Sequence, residues 1–306
     1  MKLSSLIEQI KLKKSYLCVG IDPDLDKFPV HIRNQKDPIY TFSKSIIDST
    51  VKFAVAFKFN IAFFEAYGID GLVSLERLIK YVNKQYPDIF TIADAKRGDI
   101  GNSSNRYAKA FFEKFGFDSI TVSPYMGRDS IEPFLTFKDR HTIILALTSN
   151  SGAEDFQFIS SEGKKVYEHV IVESKKWNGN KNIMYVVGAT KASYIEEIRK
   201  LTPDTFLLIP GIGSQGGSLE EVSSLGINKN IGIMVNSSRA IIYASKGQDF
   251  AEKSAAEAKN LQIRMEVILK EKSIIWNLKP PQSKTKCLQR RGNQTINQTL
   301  KCIDSR

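Results

Sequence analysis

Cysteine is scarce. Three residues, Cys18, Cys287 and Cys302, stand far apart and odd in number. That excludes a disulfide framework and the paired spacing of a zinc site, and makes a reducing cytoplasm the expected compartment. Histidine is as rare: His31, His141 and His169 are scattered, with no metal-ligand spacing among them, so no metal is expected. No run of 18 apolar residues occurs, so no membrane span is expected. The opening stretch MKLSSLIEQIKLKKSYLCVG lacks a long apolar segment followed by a small-residue cleavage site, so it does not read as a secretory signal. Helix-turn-helix, zinc-finger and RNA-recognition signatures are missing too, as is any repeat of 20–50 residues.

What is present is ordinary globular composition: 306 residues, 42% hydrophobic and 25% charged. The net charge of +11 invites a nucleic-acid reading, but its distribution weakens that reading. From Lys279 to Arg306 seven basic residues face one acid, Asp304, so this tail holds over half of the excess. With Pro280-Pro281 and no sustained apolar period, residues 276–306 read as a basic, disordered extension. Residues 1–275 are only mildly basic, which an enzyme for an anionic phosphorylated substrate accounts for as well as a nucleic acid does. A solvated tail is the expectation, and a nucleic-acid partner is not.

Within 1–275, short apolar or β-branched runs alternate with stretches of helical spacing. The runs are Leu17 to Ile21, Val55 to Phe59, Ile89 to Ala93, Ser119 to Val122, Thr142 to Leu147, Met184 to Val187, Thr205 to Ile209 and Gly232 to Val235. Eight strand-helix units in this length predict an α/β (β/α)8 barrel; a doubly wound open sheet is the competing arrangement. The last helix, from about Asp249 to Lys270, sets Ala251, Ala255, Ala258, Leu261, Met265 and Ile268 on one face.

In such a barrel the active site lies at the C-terminal ends of the strands. The residues there are Asp22 in GIDPD, Lys58 and Asn60 in FKFN, then Asp94, Lys96 and Asp99 in IADAKRGDIG. Ser123 follows the fourth run, Thr148 and Ser149 the fifth, Gly188 the sixth, and PGIGSQGG with Gln215 the seventh. Arg239, in NSSRA, follows the eighth. Polar residues favour strand ends in any protein. Loops alone do not explain Lys58, whose neighbours are nearly all apolar: a lysine there needs a carboxylate partner or loses its charge. If Lys58, Asp94, Lys96 and Asp99 share one mouth, they form an alternating array in which each member keeps the others ionised. A structural ion-pair network accounts for pairing but not for so many members at one mouth. PGIGSQGG is a loop whose amides can approach an anion, and Arg239 after the adjacent strand supplies a planar charged fork for phosphate oxygens. Tyr125 and Met126 read as packing residues, and Glu154 and Asp155 as solvated loop residues.

The segment ADAKRGDIGNS carries the Asp-x-Lys-x-x-Asp-Ile-Gly signature of orotidine 5'-phosphate decarboxylases. CVGIDPD, FKFN, TVSPYMG, ALTSNSG, VVGAT and PGIGSQGG resemble the corresponding segments, especially of the bacterial group with longer insertions, and the resemblance runs from about Leu3 to Lys272. It implies a cofactor-free barrel, commonly a homodimer, that turns orotidine 5'-phosphate into uridine 5'-phosphate in pyrimidine biosynthesis. It also implies roles: Asp22 on the ribose, Lys58 bridging ribose and Asp94, Asp94 beside the departing carboxylate, and Lys96 as proton donor to C6. Asp99, with Ser103, would reach a partner's site; Ser103 stands where many relatives have threonine. Asn60 would contact substrate, Ser149 would read the pyrimidine edge, and Gln215 and Arg239 would hold phosphate. Ser238 stands where some relatives have glycine, which leaves the backbone part of the phosphate contact open. The rivals are a magnesium-dependent sugar-phosphate aldolase or decarboxylase with the same Asp-x-Lys-x-x-Asp pattern, a nucleic-acid-binding protein, and an inactive barrel.

Overall fold

The structure, a computed structural model, describes residues 1–212 and 216–275. Gln215 and the expected extension 276–306 lie outside the described residues. Eight strands close into a parallel barrel in strict chain order. They are β1 (Leu17–Ile21), β2 (Ala56–Asn60), β3 (Phe90–Arg97), β4 (Ser119–Val122), β5 (His141–Leu147), β6 (Ile183–Val187), β7 (Leu207–Pro210) and β8 (Ile233–Ser237). Leu17 pairs with Val235, which joins the last strand to the first and rules out the open sheet. Covered on both sides, the strands can be apolar nearly throughout, and β1, β4 and β6 are buried at every position.

Two departures from the expected strands matter. β3 does not stop at Ala93 but continues through the charged residues to Arg97, with a register shift on the way. A two-stranded ribbon, Ser160–Ser161 with Lys164–Lys165, follows β5 and was not expected from periodicity; strands of two residues carry no legible alternation.

The helices form where caps and apolar spacing coincide. Asp37 and Pro38 open the helix Pro38–Thr50: the Asp37 carboxylate accepts the Tyr40 amide at 3.2 Å, and proline sits at the first helical position, where its missing N–H costs nothing. The helix Gly68–Gln85 buries Gly71, Leu75, Leu78, Ile79 and Val82, a stripe of helical period. The helix Gly101–Lys109 widens into a π-type turn over Ala110–Phe115 and ends at Gly116 with φ 83°. The last helix, Phe250–Glu271, buries Phe250, Ser254, Ala258, Met265, Ile268 and Leu269. Ala255 and Leu261 are only half-buried, so the stripe is turned slightly from the expected one. Among the described residues no helix is long and apolar enough to cross a membrane.

At the end of the barrel away from the predicted site, Arg199 closes the approach to β7 and β8. It donates to the carbonyls of Thr202 at 2.7 Å, Thr205 at 2.8 Å, and Gly226 and Gly232 at 3.0 Å each. Burial lowers its pKa to about 10, partly countered by Asp204.

Candidate active site

A cavity of about 560 Å³ opens at the C-terminal ends of the strands, and all eight strands or the loops that follow them contribute to it. Its walls differ in chemistry. On one side β2, β3 and β4 present Lys58, Asn60, Asp94, Lys96 and Thr121; on the other β5, β6 and β7 present Leu145, Val186 and Leu208. A planar, partly charged ligand can therefore meet fixed charges on one face and a dry surface on the other. The volume suits a small organic ligand.

The charged wall is built on one carboxylate. Asp94 Oδ2 accepts from Lys58 Nζ at 2.7 Å, and its Oδ1 accepts from Lys96 Nζ at 2.6 Å and from Thr121 Oγ1 at 3.1 Å. The strands dictate this arrangement. Asn60 is in register with Asp94 and Lys58 with Ile92, so Lys58 lies two residues down its own strand from the level of Asp94. Alternation turns Phe57 and Phe59 the other way, where both are fully buried. Lys58 is 5% exposed. Burial works against its charge, but Asp94 and Asp22 outweigh that and hold its pKa above the ordinary lysine value. Burial likewise opposes ionisation of Asp94, and Lys58 and Lys96 more than offset it, holding the carboxyl well below the usual range. Lys58 and Asp94 are thus charged together near neutrality. Behind them the Cys18 thiol is fully buried, and burial pushes its pKa up to about 12.

Arg97, the cation beside this array, points elsewhere. Its guanidinium ion-pairs with Glu65 and lies 5.3 Å from the Tyr107 ring and 5.5 Å from that of Phe111. That is packing between β3 and its flanking helices.

The junction of β1 and β8 forms the second polar corner. Ser238 Oγ donates to Asp22 Oδ2 at 2.6 Å, and the Tyr243 hydroxyl donates to the Asp22 carbonyl at 2.6 Å while accepting the Asp24 amide at 2.8 Å. The close approach needs glycine at position 20, because a Cβ there would fall 2.6 Å from the Ser238 Cβ. Two buried oxygens in this corner, Asp22 Oδ1 and Asn236 Oδ1, have no hydrogen-bond partner among the described residues. Arg239 is exposed at the cavity rim and has no ion pair among the described residues.

The loop after β5 forms the third. Gln157 grips Thr148 twice: its Oε1 accepts the Thr148 amide and its Nε2 donates to Thr148 Oγ1, both at 2.8 Å. Thr148 Oγ1 in turn lies 2.6 Å from Asn150 Oδ1. Ser149 sits between, in the cavity wall, with Gly188 pressed behind it; a Cβ on Gly188 would lie 2.7 Å from the Ser149 amide nitrogen and Cα.

Of the residues singled out from sequence, Lys58, Asp94, Lys96, Asp22, Asn60, Ser149 and Arg239 line this one cavity. Asp99 and Ser103 do not. Asp99 accepts the Ile100 amide at 2.8 Å and makes no ion pair among the described residues, so the expected four-member array is a three-member one within the chain. Ser103 is exposed on the helix that follows β3. Ser123 is not in the wall either; its amide continues the ladder to the Arg97 carbonyl at 2.8 Å. Tyr125 and Met126 were expected to pack, but they are 89% and 44% exposed, because the turn closed by the Gly127 amide on the Pro124 carbonyl carries them outward. Sequence reading missed Thr121, Asn236, Gln157 and Tyr243. Thr121 lies inside a strand run rather than at its end, and Gln157 and Tyr243 act from outside the strands altogether.

Comparison with known proteins agrees with this geometry. The family model described as "Orotidine 5'-phosphate decarboxylase / HUMPS family" matches residues 15–254. An orotidine 5'-phosphate decarboxylase of Flavobacterium johnsoniae is 60% identical over 272 residues, covering 89% of this chain and 100% of its own. That of Porphyromonas gingivalis strain W83 is 50% identical over 276 residues, covering 90% and 100%. The solved structure of Leishmania donovani OMP decarboxylase superposes with a TM-score of 0.72 at 32% identity, covering 86% of this chain and 100% of that one. With the match extending over every strand that builds the cavity, the chain belongs to the orotidine 5'-phosphate decarboxylase / HUMPS family.

Proposed function

We propose that this chain decarboxylates orotidine 5'-phosphate to uridine 5'-phosphate, a step of pyrimidine biosynthesis, without a cofactor. The observation that carries the reading is the Lys58–Asp94–Lys96 chain of contacts in the cavity wall. In the reaction the C6–carboxylate bond breaks, carbon dioxide leaves, and the electron pair stays on C6. The ammonium of Lys96 stands ready to meet that pair and deliver its proton to C6; solvent then reprotonates the amine. A cation fixed in advance stabilises charge as it develops and needs no reorganisation at that moment.

Asp94 has two tasks. It holds both lysines, and it faces the substrate carboxylate with a like charge that leaves when carbon dioxide does. The unpartnered oxygens Asp22 Oδ1 and Asn236 Oδ1 call for ligand donors, which ribose hydroxyls supply. Asn60 adds a polar contact on the same wall. Ser149 reads the pyrimidine edge, and Arg239 takes the phosphate; Gln215, which lies outside the described residues, is proposed with it from the sequence alone. Binding energy from that remote phosphate goes into fixing the pyrimidine against Lys96.

Asp99 and Ser103 make sense in a homodimer, where they act at the partner's cavity. Exposed apolar side chains lie next to them in the chain: Ile100 is 56% exposed and Tyr107, on the same helix as Ser103, 37%. We assign catalysis to residues 1–275 and none of it to 276–306, and we place the enzyme in the cytoplasm. Shortening the chain after Trp276 is expected to leave turnover unchanged; lost turnover would assign the tail a catalytic part.

The direct test mixes purified protein with orotidine 5'-phosphate and follows the ultraviolet absorbance of the substrate. Loss of absorbance that Lys96→Ala abolishes and EDTA leaves intact is the expected result. No turnover by the intact chain would remove the reading, and inhibition by EDTA would favour a metal-dependent sugar-phosphate enzyme.

A further inference from the structure

The register of β3 against β4 is broken at the point where the chemistry is carried. Ala93 pairs with Ile120 and Arg97 with Val122. In an unbroken ladder Asp94 would face Thr121 and Ala95 would face Val122. Here three residues of β3, Asp94, Ala95 and Lys96, stand against the single residue Thr121 of β4. Such a bulge re-aims side chains, and bulges gather near active sites for that reason. This one needs a left-handed backbone at Lys96, with φ 48°, which a lysine adopts only when its surroundings hold it there.

The side chain of Thr121 fills the gap in the ladder. Its Oγ1 accepts the Lys96 amide at 2.9 Å and donates its one proton to Asp94 Oδ1 at 3.1 Å. One hydroxyl thus ties the backbone of the proposed proton donor to the carboxylate that holds that donor's ammonium. Thr121 is 1% exposed, and among the described residues its hydroxyl has no hydrogen-bond partners other than these two. The ladder resumes directly afterwards, where the Ser123 amide donates to the Arg97 carbonyl at 2.8 Å.

We propose that Thr121 is a positioning residue for decarboxylation: it pins the β3 bulge, and so fixes where the Lys96 ammonium stands relative to Asp94 and the substrate's C6. The inference rests on the functional reading above. Substrate binding through Asp22, Ser149 and Arg239 does not depend on it, so its loss falls on turnover and not on affinity. Valine keeps the shape of threonine and removes the hydroxyl; serine keeps the hydroxyl and removes the methyl.

The test compares Thr121→Val and Thr121→Ser with the unaltered chain in three measurements: kcat and KM for orotidine 5'-phosphate, the Kd for uridine 5'-phosphate, and the crystal structure of the valine variant. The expected result is a fall in kcat of about 100-fold for valine, the scale of a misplacement of about 1 Å at a reacting group. KM and product affinity should stay unchanged, and serine should restore kcat. The crystal structure should show the Lys96 backbone out of its left-handed conformation. Valine with unaltered kcat, or serine as impaired as valine, would overturn the inference. If the valine variant does not fold, the serine variant decides against Thr121→Ala, which lacks both groups: equal kcat for the two would count against the hydroxyl. If the unaltered chain shows no decarboxylation, the functional reading fails instead, and the crystallographic comparison still judges the pin.

Discussion

Lys58 and Lys96 hold opposite oxygens of one carboxylate, Asp94, at 2.7 Å and 2.6 Å. One of these cations is buried and the other is half open to solvent, with side-chain exposures of 6% and 53%. The asymmetry separates their work. Lys58 is a fixed strut, while Lys96 keeps access to whatever occupies the cavity.

Replacing Asp94 by asparagine should therefore cost both stability and turnover. Lys58 would remain buried with only Asp22 to offset its charge, and removing one partner of a buried pair typically destabilises by about 3–5 kcal/mol. The pH dependence follows from the directions of the shifts. Asp94 is held below the usual carboxylate range, so its contribution is complete above the unfolded value of about 3.9 and is lost as pH falls through that value toward the folded one. Lys58 is held above the ordinary lysine value, so its contribution is complete below about 10.4 and is lost only as pH rises beyond that. Urea unfolding of the two proteins should show a gap that shrinks in acid, as the Asp94 contribution is lost below about pH 4. A gap that does not shrink in acid would contradict this assignment of charges.

The Gln157 clasp predicts a specificity defect at a distance. Gln157→Leu removes both hydrogen bonds to Thr148 and frees the loop that presents Ser149. Two such bonds contribute about 1–3 kcal/mol together, so kcat/KM for orotidine 5'-phosphate should fall about tenfold to a hundredfold. The change should appear mainly in KM, since Lys96 and Asp94 are untouched. Steady-state kinetics decide it; a pure kcat effect would count against a purely substrate-binding role for this loop.

Much of this was legible in the sequence, for a physical reason. A barrel strand buried on both faces must be a short apolar run, and a charge within or just beyond such a run has few solvents to turn to except the mouth. That logic finds Lys58, Asp94 and Lys96 without coordinates. It does not find Thr121, because a threonine inside SITV satisfies strand preference and raises no conflict. Nor does it show that β3 continues past Ala93: the two extra residues of the bulge look like the beginning of a loop. The ribbon after β5 and the Gln157 clasp are hidden for a related reason, as they depend on contacts made after the chain has turned back on itself. Proximity in sequence sets Asp99 with the other charges, and the fold separates it from them.

That separation can be tested by complementation. If Asp99 serves a partner's cavity, Asp99→Ala and Lys96→Ala are each inactive, yet a mixed dimer has one site with both defects and one with none. Random exchange of equal amounts should recover about a quarter of the unaltered activity, as expected for a two-fold assembly. The measurement is turnover after co-refolding, with sedimentation to establish the dimer. No recovery despite mixed dimers would place Asp99 outside catalysis or within its own chain's site.

Arg199 provides a contrast, because it lies at the opposite end of the barrel from Lys96. Its guanidinium satisfies four carbonyls that lead into β7 and β8, the strands that carry the proposed phosphate site. Arg199→Met fills similar space and offers no donor, so those oxygens must find water or stay unpaired. An unsatisfied buried acceptor costs about 1–3 kcal/mol, and water can reach some of the four, so a loss of about 3 kcal/mol or more is expected. Burial already holds this guanidinium near a pKa of about 10, so lysine is no substitute: with its lone ammonium and three donors it cannot reach four diverging carbonyls. Thermal unfolding should show Arg199→Lys close to Arg199→Met, while kcat per folded molecule stays unchanged in both. A large loss of kcat without loss of stability would mean that the closed end of the barrel communicates with the mouth through β7 and β8.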